Sequence, residues 1–281
     1  MLKFLFIFVF LSILLQIFSF PFMDADPEDL IDISHLGSAA FGKPDENTGE
    51  ILDKWHPETN DSNAEEVGNY FEGDILIPKP LSRNGIGAES ARWPGGKIPY
   101  EIKGYYSAKD MSMIQAAMND YHTMTCIQFV PRTSNDKDYI SITSGNTGCW
   151  SSVGRIGGRQ ELNLQSPGCT YKKGTIIHEF MHAVGFFHEQ NRYERDNHVT
   201  IKWNNIIKGR ENNFQKSKKE DTKNFDVPYD YRSVMHYSAN AFSSNNQPTI
   251  VTKIRGVELG QREGFSRHDV LKIKRMYNCT N

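Results

Sequence analysis

Three features of the sequence predict an α+β fold. Strand-like stretches, in which apolar and polar residues alternate, lie between residues 92 and 165. A helical stretch follows at 174–184. The second half of the chain is rich in loops and closes with a helical stretch at 265–279. A strand-bearing first half and a loop-rich second half, with a helix between them, indicate the α+β class.

The individual elements have local signatures. A turn in RWPGGKIPYEI (92–102) precedes a strand, and apolar residues at helical spacing predict a helix over 107–123 that begins at Ser107. The last helix has Ser266 as its N-cap and Asp269 three residues later. Three further alternating stretches are predicted strands, and a glycine-rich loop separates the last two: CIQFV (126–130), DYISIT (138–143) and QELNLQ (160–165).

The N-terminus has the pattern of a secretory signal. Lys3 precedes an almost unbroken apolar run from residue 4 to residue 18, and turn-forming residues follow near Ser19. We therefore expect residues 1–19 to be a signal peptide and the protein to be secreted and extracellular, without stable insertion in a membrane. The alternative is an uncleaved membrane anchor, because the run approaches the length needed to span a bilayer.

The formal net charge of −2 conceals two parts of opposite charge. Residues 20–83, the leader, contain 15 acidic and four basic residues, whereas residues 84–281 contain 19 acidic and 27 basic residues. Segment 24–70 has weak periodicity and is expected to be loosely structured until other residues hold it. The leader is therefore either a solvated acidic linker or a prosegment complementary to the body. The basic run at 208–220 is either a solvated loop or a surface for anionic partners.

Four cysteines occur, at positions 126, 149, 169 and 279. In a secreted protein an even number of cysteines indicates two disulfide bonds, and four cysteines allow three pairings. None of them forms a Cys-x-x-Cys unit, so the pattern does not indicate a structural zinc ribbon.

The stretch HEFMHAVGFFHEQ contains the candidate catalytic groups. His178 and His182 are four residues apart and therefore lie on one face of a helix. Gly185 can end that helix in a backbone conformation that glycine adopts at low cost, so the chain can turn and bring His188 back to the other two. Three converging imidazoles with an open position are typical of catalytic zinc. Glu179 lies beside the same face and is placed to accept a proton from zinc-bound water.

The extended motif HEFMHAVGFFH has the metzincin form HExxHxxGxxH, and SVMHY (233–237) resembles the methionine turn of these proteases. HEQNRYERD (188–196) and SVMHY are specifically similar to the astacin family, and the similarity extends from RWPGGKIPY through LGQREGFS to Cys279. The resemblance implies an astacin-like zinc protease domain over residues 84–281. It also implies a metzincin-type domain of two lobes, an N-terminal lobe with a mixed twisted sheet and the active-site helix, and an irregular C-terminal lobe with a final helix.

The resemblance also implies roles for individual residues. His178, His182 and His188 are expected to bind one Zn²⁺ per chain. Glu179 is expected to activate the zinc-bound water that attacks the scissile peptide carbonyl. Tyr237 is expected to be a further metal ligand in the resting enzyme and a hydrogen-bond donor to the oxyanion during catalysis.

Other family features fall outside the ligand set. Met235 of the methionine turn is expected beneath the metal, and an edge strand at about Trp150–Arg155 is expected to bind extended protein or peptide substrates by strand addition. Arg262, in GQRE, resembles a family residue that favours acidic side chains just after the cleaved bond. The disulfide bonds that the resemblance implies are Cys126–Cys279 and Cys149–Cys169.

The stretch FEGDI (71–75) resembles the family's prosegment motif, in which an aspartate occupies the water position on zinc. The resemblance implies that residues 20–83 are an acidic inhibitory propeptide and that Asp74 blocks the zinc of the zymogen. An activating protease is expected to cleave near Arg83-Asn84. In the family the released amino group is buried near the acid after the third histidine, which is Glu189 in this chain. Without the motif, Asp74 would be one acid among many.

A monomer that acts on proteins or peptides, with no nucleic-acid partner, is the expected form. The alternative is a non-catalytic binding protein on the same scaffold, but the intact Glu179 and all three histidines argue against it. Asn60 and Asn278 match the glycosylation acceptor pattern, although Asn278 is followed by a cysteine that the resemblance places in a disulfide bond.

Overall fold

The computed structural model describes residues 43–77, 91–219 and 223–280. The signal peptide predicted for residues 1–19 and the cleavage site predicted at Arg83-Asn84 lie outside these ranges. Within them, no helix has the length and apolar character needed to cross a bilayer. The helices are α1 (Glu46–Asp53), α2 (Ala108–Met124), α3 (Lys173–Val184) and α4 (Arg267–Met276), and the strands are β1 (Lys97–Ile102), β2 (Gln128–Pro131), β3 (Tyr139–Thr143), β4 (Cys149–Ser151), β5 (Arg159–Leu164), β6 (Val199–Ile201) and β7 (Ile250–Thr252).

A five-stranded mixed sheet organises the N-terminal lobe, in the order β2-β1-β3-β5-β4. β1 is parallel to β2 and β3, and β3 is parallel to β5. β4 is antiparallel to β5 and lies at the edge of the sheet. Ile98, Ile140 and Leu164, from three of these strands, are fully buried in the main core. The predicted α+β class and mixed sheet are confirmed.

Two helices of this lobe pack against each other and against the sheet. The hydroxyl of Tyr121 in α2 donates a hydrogen bond to the backbone oxygen of Ile177 in α3, at 2.8 Å. The ring of Phe180 in α3 is fully buried, and its centroid lies 4.7 Å from that of Phe129 in β2. Aromatic packing holds this face of α3 against the sheet. The histidines on the opposite face of the helix therefore have a fixed position.

Two helices begin at the capping residues that the sequence predicts. Ser107 accepts a hydrogen bond from the backbone N–H of Asp110, whose carboxylate accepts from the backbone N–H of Ser107. Ser266 and Asp269 form the same reciprocal pair at the start of α4. Each pair satisfies two of the backbone donors that a helix start leaves unpaired, so these boundaries follow from the local sequence.

The described part of the leader, residues 43–77, is folded against the body. α1 begins at Asp45, whose side chain accepts from the backbone N–H of Asn47, and it places Leu52 in the main core. The weak periodicity of segment 24–70 did not predict this helix. Leu52 packs against Gly168 of the body, a residue far away in the sequence, so the local pattern contains little of the information.

The leader then runs along the free side of β4. The backbone N–H of Leu76 donates to the carbonyl of Ser151, and the N–H of Ser151 donates to the carbonyl of Asp74, both at 2.9 Å. Ile75 and Ser151 form a parallel bridge. The predicted edge at Trp150–Arg155 is therefore a strand only as far as Ser151, and in this structure the leader is its outer neighbour.

The C-terminal lobe is largely irregular, as expected, but it contains a small sheet that the sequence did not predict. β6 and β7 pair antiparallel, about 50 residues apart in the chain. Phe214, Tyr237 and Phe242 lie in a second apolar cluster behind them. This cluster sets the position of Tyr237, since its ring contacts both phenylalanine rings.

Both disulfide bonds implied by the family resemblance are present. Their Cα–Cα distances of 5.5 and 5.6 Å are typical of disulfide bonds. One bond connects the start of the β2 segment to the end of the chain after α4, and the other connects β4 to the segment before α3. The bonded pairs are Cys126–Cys279 and Cys149–Cys169.

Candidate metal centre

α3 carries the first two histidines and ends where the motif predicts. Its last residue is Val184, and the N–H of Gly185 donates to backbone oxygens of the preceding turn. Gly185 has a φ of +128°, and a Cβ at this position would lie 2.7 Å from Cε of Met276. The positive φ favours glycine here, whereas the end of the Met276 side chain could move to make room for a Cβ. The turn brings His188, three residues later, beside the histidines of the helix.

Two of the histidines are oriented by the body itself. Nδ1 of His178 lies 2.7 Å from the backbone oxygen of Val234, and Nδ1 of His182 lies 2.7 Å from the backbone oxygen of Phe186. A carbonyl oxygen only accepts, so each Nδ1 carries the proton and each Nε2 presents its lone pair. Burial lowers the pKa of His178 to about 3, which also favours the neutral ring.

The third histidine is oriented by the leader. Nδ1 of His188 lies 2.8 Å from a carboxylate oxygen of Glu72. Glu72 is buried and has a φ of +47°, in the left-handed region that non-glycine residues rarely adopt. No local pattern indicated this contact, because the two residues are 116 positions apart and FEGDI marks only the aspartate.

The Nε2 atoms of the three histidines converge on the carboxylate of Asp74. Nε2 of His178 lies 3.2 Å from each of the other two Nε2 atoms. The carboxylate oxygens of Asp74 lie 2.9, 3.3 and 3.4 Å from Nε2 of His178, His182 and His188. Ligand atoms of a tetrahedral zinc ion, at about 2.0–2.1 Å from the metal, lie about 3.3–3.4 Å apart. The four side chains therefore fit a tetrahedral zinc ion in both ligand type and spacing.

Glu179 is fully buried next to this cluster. Among the described residues neither of its carboxylate oxygens has a hydrogen-bond partner. Burial, followed by the negative charge of Asp74, raises its pKa well above the usual range for glutamate. A carboxyl group in this environment readily accepts a proton, and among the described residues it has no hydrogen bond to break in doing so.

Tyr237 lies beside the cluster, with its ring centroid 4.6 Å from that of His188. Its hydroxyl donates a hydrogen bond to the backbone oxygen of Glu72. In this structure the phenol is therefore held by the leader. Met235, two residues earlier, is buried in the main core, and its carbonyl accepts a hydrogen bond from the N–H of Glu189 at 3.0 Å.

Arg262 also faces the leader. Its guanidinium is completely buried and forms a short ion pair with the carboxylate of Glu65. The neighbouring Glu66 accepts hydrogen bonds from the backbone N–H and the hydroxyl of Ser238, both at 2.6 Å. Two leader carboxylates therefore bind hydrogen-bond donors of the body. The sequence predicted a functional role for Arg262 but gave no indication of Ser238.

Glu189 follows the third histidine in the chain, and it is paired within the body. Its carboxylate contacts the ammonium group of Lys272 and the guanidinium of Arg192, the latter at 3.0 Å. It also accepts the N–H of Asp230 at 2.8 Å. Although burial opposes ionisation, the positive charges of Lys272 and Arg192 lower the pKa of Glu189. Lys272 is 83 positions away, and no motif indicated it.

A cavity of about 90 Å³ adjoins Glu189. Ala91 and Arg92, the first described residues after the leader, are part of its wall, together with Phe186 and Met276. The two asparagines of the predicted glycosylation sites, Asn60 and Asn278, are exposed.

Comparisons with known proteins agree with this geometry. The family model described as Astacin, a peptidase family, matches residues 85–278. Zinc metalloproteinase nas-4 of Caenorhabditis elegans is 45% identical over 224 residues, which cover 76% of this chain and 70% of the relative. Meprin A subunit beta of Homo sapiens is 44% identical over 216 residues, 76% of this chain but 30% of the relative. The chain also spans 55% of the length of nas-7 of C. elegans.

A solved structure agrees as well. The high choriolytic enzyme 1 of the medaka fish Oryzias latipes, a hatching enzyme zinc protease, matches with a TM-score of 0.61 and 42% identity over 71% of this chain and 96% of that one. The three-histidine cluster with an adjacent carboxylate, on this fold, defines the class of zinc metallopeptidases. Within that class, the chain belongs to the astacin family of zinc metalloendopeptidases.

Proposed function

We propose that this chain is the secreted zymogen of a zinc endopeptidase, with a signal peptide at 1–19, an inhibitory propeptide at 20–83 and the protease domain at 84–281. The observation that carries the proposal is the position of Asp74. Its carboxylate lies within 3.4 Å of Nε2 of all three histidines, where a fourth ligand of a tetrahedral metal would lie. While the leader is docked, this position is closed to water and substrate.

His178, His182 and His188 are the residues that would hold one zinc ion. When bound, zinc supplies an activated water molecule and polarises the substrate carbonyl. Glu179 takes the proton of the attacking water on its carboxylate and delivers it to the amine of the leaving peptide. Neither carboxylate oxygen of Glu179 has a hydrogen-bond partner among the described residues. This supports the role, because both oxygens are free to accept a proton.

Tyr237 would act after the leader has left. Its hydroxyl now donates to the carbonyl of Glu72, so removal of the leader frees a buried phenol donor beside His188. A donor aimed at the oxygen that becomes negative in the transition state stabilises that state more than the substrate. In the resting mature enzyme the same hydroxyl is free to serve as a metal ligand.

Substrates would be proteins or peptides bound in extended form along β4, in the place that Ile75 and Leu76 take in the zymogen. Arg262 would bind an acidic side chain just after the cleaved bond. The ion pair with Glu65 supports this assignment, because a leader carboxylate already occupies the buried guanidinium. The enzyme would act as a monomer.

Activation would require a protease that cleaves near Arg83-Asn84. The new N-terminus at residue 84 would be seven residues from Ala91, which already lines the cavity beside Glu189. Seven residues span about 23–25 Å when extended, so the released amino group can reach that cavity. Glu189 supplies the negative charge it needs.

Limited trypsin treatment of the secreted precursor tests the proposal. We expect the intact protein to be inactive and the cleaved protein to hydrolyse a protein substrate, with N-terminal sequencing placing the cut near residue 84. Glu179→Gln should retain the metal and lose about 10²–10⁴-fold or more in kcat, because the proton acceptor is gone. A cleaved wild-type protein that holds zinc and hydrolyses nothing would disprove the enzymatic role.

Asp74→Ala tests the blocking role separately. Without the fourth oxygen, the uncleaved precursor should show measurable activity before trypsin is added, whereas Asp61→Ala, at a leader acid outside the cluster, should leave it inactive. A fully silent Asp74→Ala precursor that becomes active on cleavage would show that other leader contacts, such as that of Glu65, are the main block.

A further inference from the structure

The three histidines differ in where their Nδ1 partners come from. Val234 and Phe186, which orient His178 and His182, belong to the body and stay with it after activation. For His188 the partner is Glu72, which belongs to the leader. Removal of the leader therefore leaves two of these hydrogen bonds intact and eliminates the third.

The bond to Glu72 is also chemically different. A carboxylate is a stronger acceptor than a carbonyl, and a carboxylate on the distal nitrogen of a metal-binding histidine fixes the ring and raises its basicity. His188 is thus the histidine whose electron-donating power depends on the leader.

The backbone conformation of Glu72 also indicates a specific role for this residue. Glu72 has a φ of +47°, a left-handed backbone conformation that is unfavourable for a non-glycine residue. The same residue uses its carboxylate on His188 and its carbonyl oxygen on Tyr237. The residue is 5% exposed, so its carboxylate depends on the hydrogen bond with His188 more than on bulk water.

We propose that Glu72 is a positioning residue of the metal centre: its carboxylate orients His188 so that the precursor retains zinc more firmly than the body could with its own residues alone. The leader thereby has a second task besides blocking the site, which is to complete the metal site while the protein is folded and exported. This inference rests on the proposed binding of zinc by the three histidines.

The experiment measures release of zinc from the intact precursor into an excess of a metallochromic chelator, with the intact mass verified before and after. Glu72→Gly removes the carboxylate and suits the positive φ, so the loop keeps its backbone conformation. We expect zinc to be released about 10–100-fold faster from Glu72→Gly than from the wild type, the usual effect of losing such a partner. Glu50→Gln, an exposed leader acid, is the matched control and should behave as the wild type.

Glu72→Gln separates hydrogen bonding from mere filling of space. Its side-chain amide oxygen can still accept from Nδ1 of His188, as the carbonyls do for the other two histidines, so release should return to within about threefold of the wild-type rate. Release from Glu72→Gly at the wild-type rate would overturn the inference. Release from Glu72→Gln as fast as from Glu72→Gly would overturn it too.

The outcomes distinguish this inference from the proposed function. A wild-type precursor that holds no zinc would refute the metal centre itself, whereas zinc held equally well by all variants would refute only the role of Glu72. Substitution of zinc by Co²⁺ adds an independent readout. The visible absorption bands of the Co²⁺ form should shift in Glu72→Gly and remain unchanged in Glu50→Gln, because only the former changes the ligand His188.

Discussion

The main core and the contact between leader and body are both buried, but they differ in the number of charged groups that they contain. Around Phe180 the core is apolar, and the centroid of this ring lies 4.7 Å from that of Phe129. At the contact with the leader, four buried leader carboxylates meet donors or histidines of the body: Glu65, Glu66, Glu72 and Asp74. The leader also makes apolar contacts, such as that of Leu52 in the main core, but its buried carboxylates bind groups that the proposed free enzyme would need for another purpose.

The greatest loss of stability should come from the apolar region. Phe180→Ala removes a fully buried ring, and we expect the free energy of unfolding to fall by about 3–5 kcal/mol. The loss should be equal in the precursor and the cleaved enzyme, since the aromatic neighbours of this ring belong to the body. Urea unfolding followed by fluorescence measures it, with Tyr105→Ala, 95% exposed, as the control. A loss confined to the precursor would contradict the division into two regions.

A somewhat smaller and unequal effect is expected at the contact with the leader. Arg262→Met removes the charged partner of the buried Glu65 carboxylate, which keeps the hydroxyl of Thr175. The precursor should therefore lose about 3 kcal/mol, the lower end for a broken buried pair. The cleaved enzyme, which lacks Glu65, should lose less than about 1 kcal/mol. Urea unfolding of both forms tests this, and the exposed Arg267→Met serves as control. Equal losses in both forms would mean that Arg262 stabilises the body alone.

The least effect is expected for a polar cluster that lies within the body. Lys272→Met removes one of the charged partners of Glu189 but leaves Arg192 and a backbone donor, so we expect a loss of about 2 kcal/mol in urea unfolding. Among the described contacts of Glu189 there is no leader residue, so we expect the same loss of stability in the precursor and in the cleaved enzyme. A smaller loss in the cleaved form would show that the new amino terminus replaces the ammonium group. Lys208→Met is the exposed control.

The elements that the sequence predicted are those whose signals are local. α2 and α4 begin at Ser107 and Ser266 because reciprocal caps lie within three residues. α3 and the turn at Gly185 follow from the spacing of the histidines and from a φ that glycine alone adopts cheaply. The disulfide pairing came from the family resemblance, since four cysteines alone allow three pairings.

The features that were missed depend on residues far apart in the chain. β6 and β7 are three residues each, and only their pairing across about 50 positions makes them strands. Lys272 contacts Glu189 across 83 positions of the chain, and Glu72 contacts His188 across 116 positions. Glutamate also rarely adopts a positive φ and is rarely buried. Residue propensities therefore could not predict that Glu72 lies beside His188.

The parallel bridge between Ile75 and Ser151 also bears on solubility. An uncovered edge strand offers unpaired backbone donors and acceptors to any other chain, which is a route to aggregation. In this structure the leader takes up backbone groups of Ser151 in β4, so part of that edge is already occupied. The proposed activation would uncover this edge together with the metal site, so the cleaved enzyme would offer β4 to strand addition by another chain.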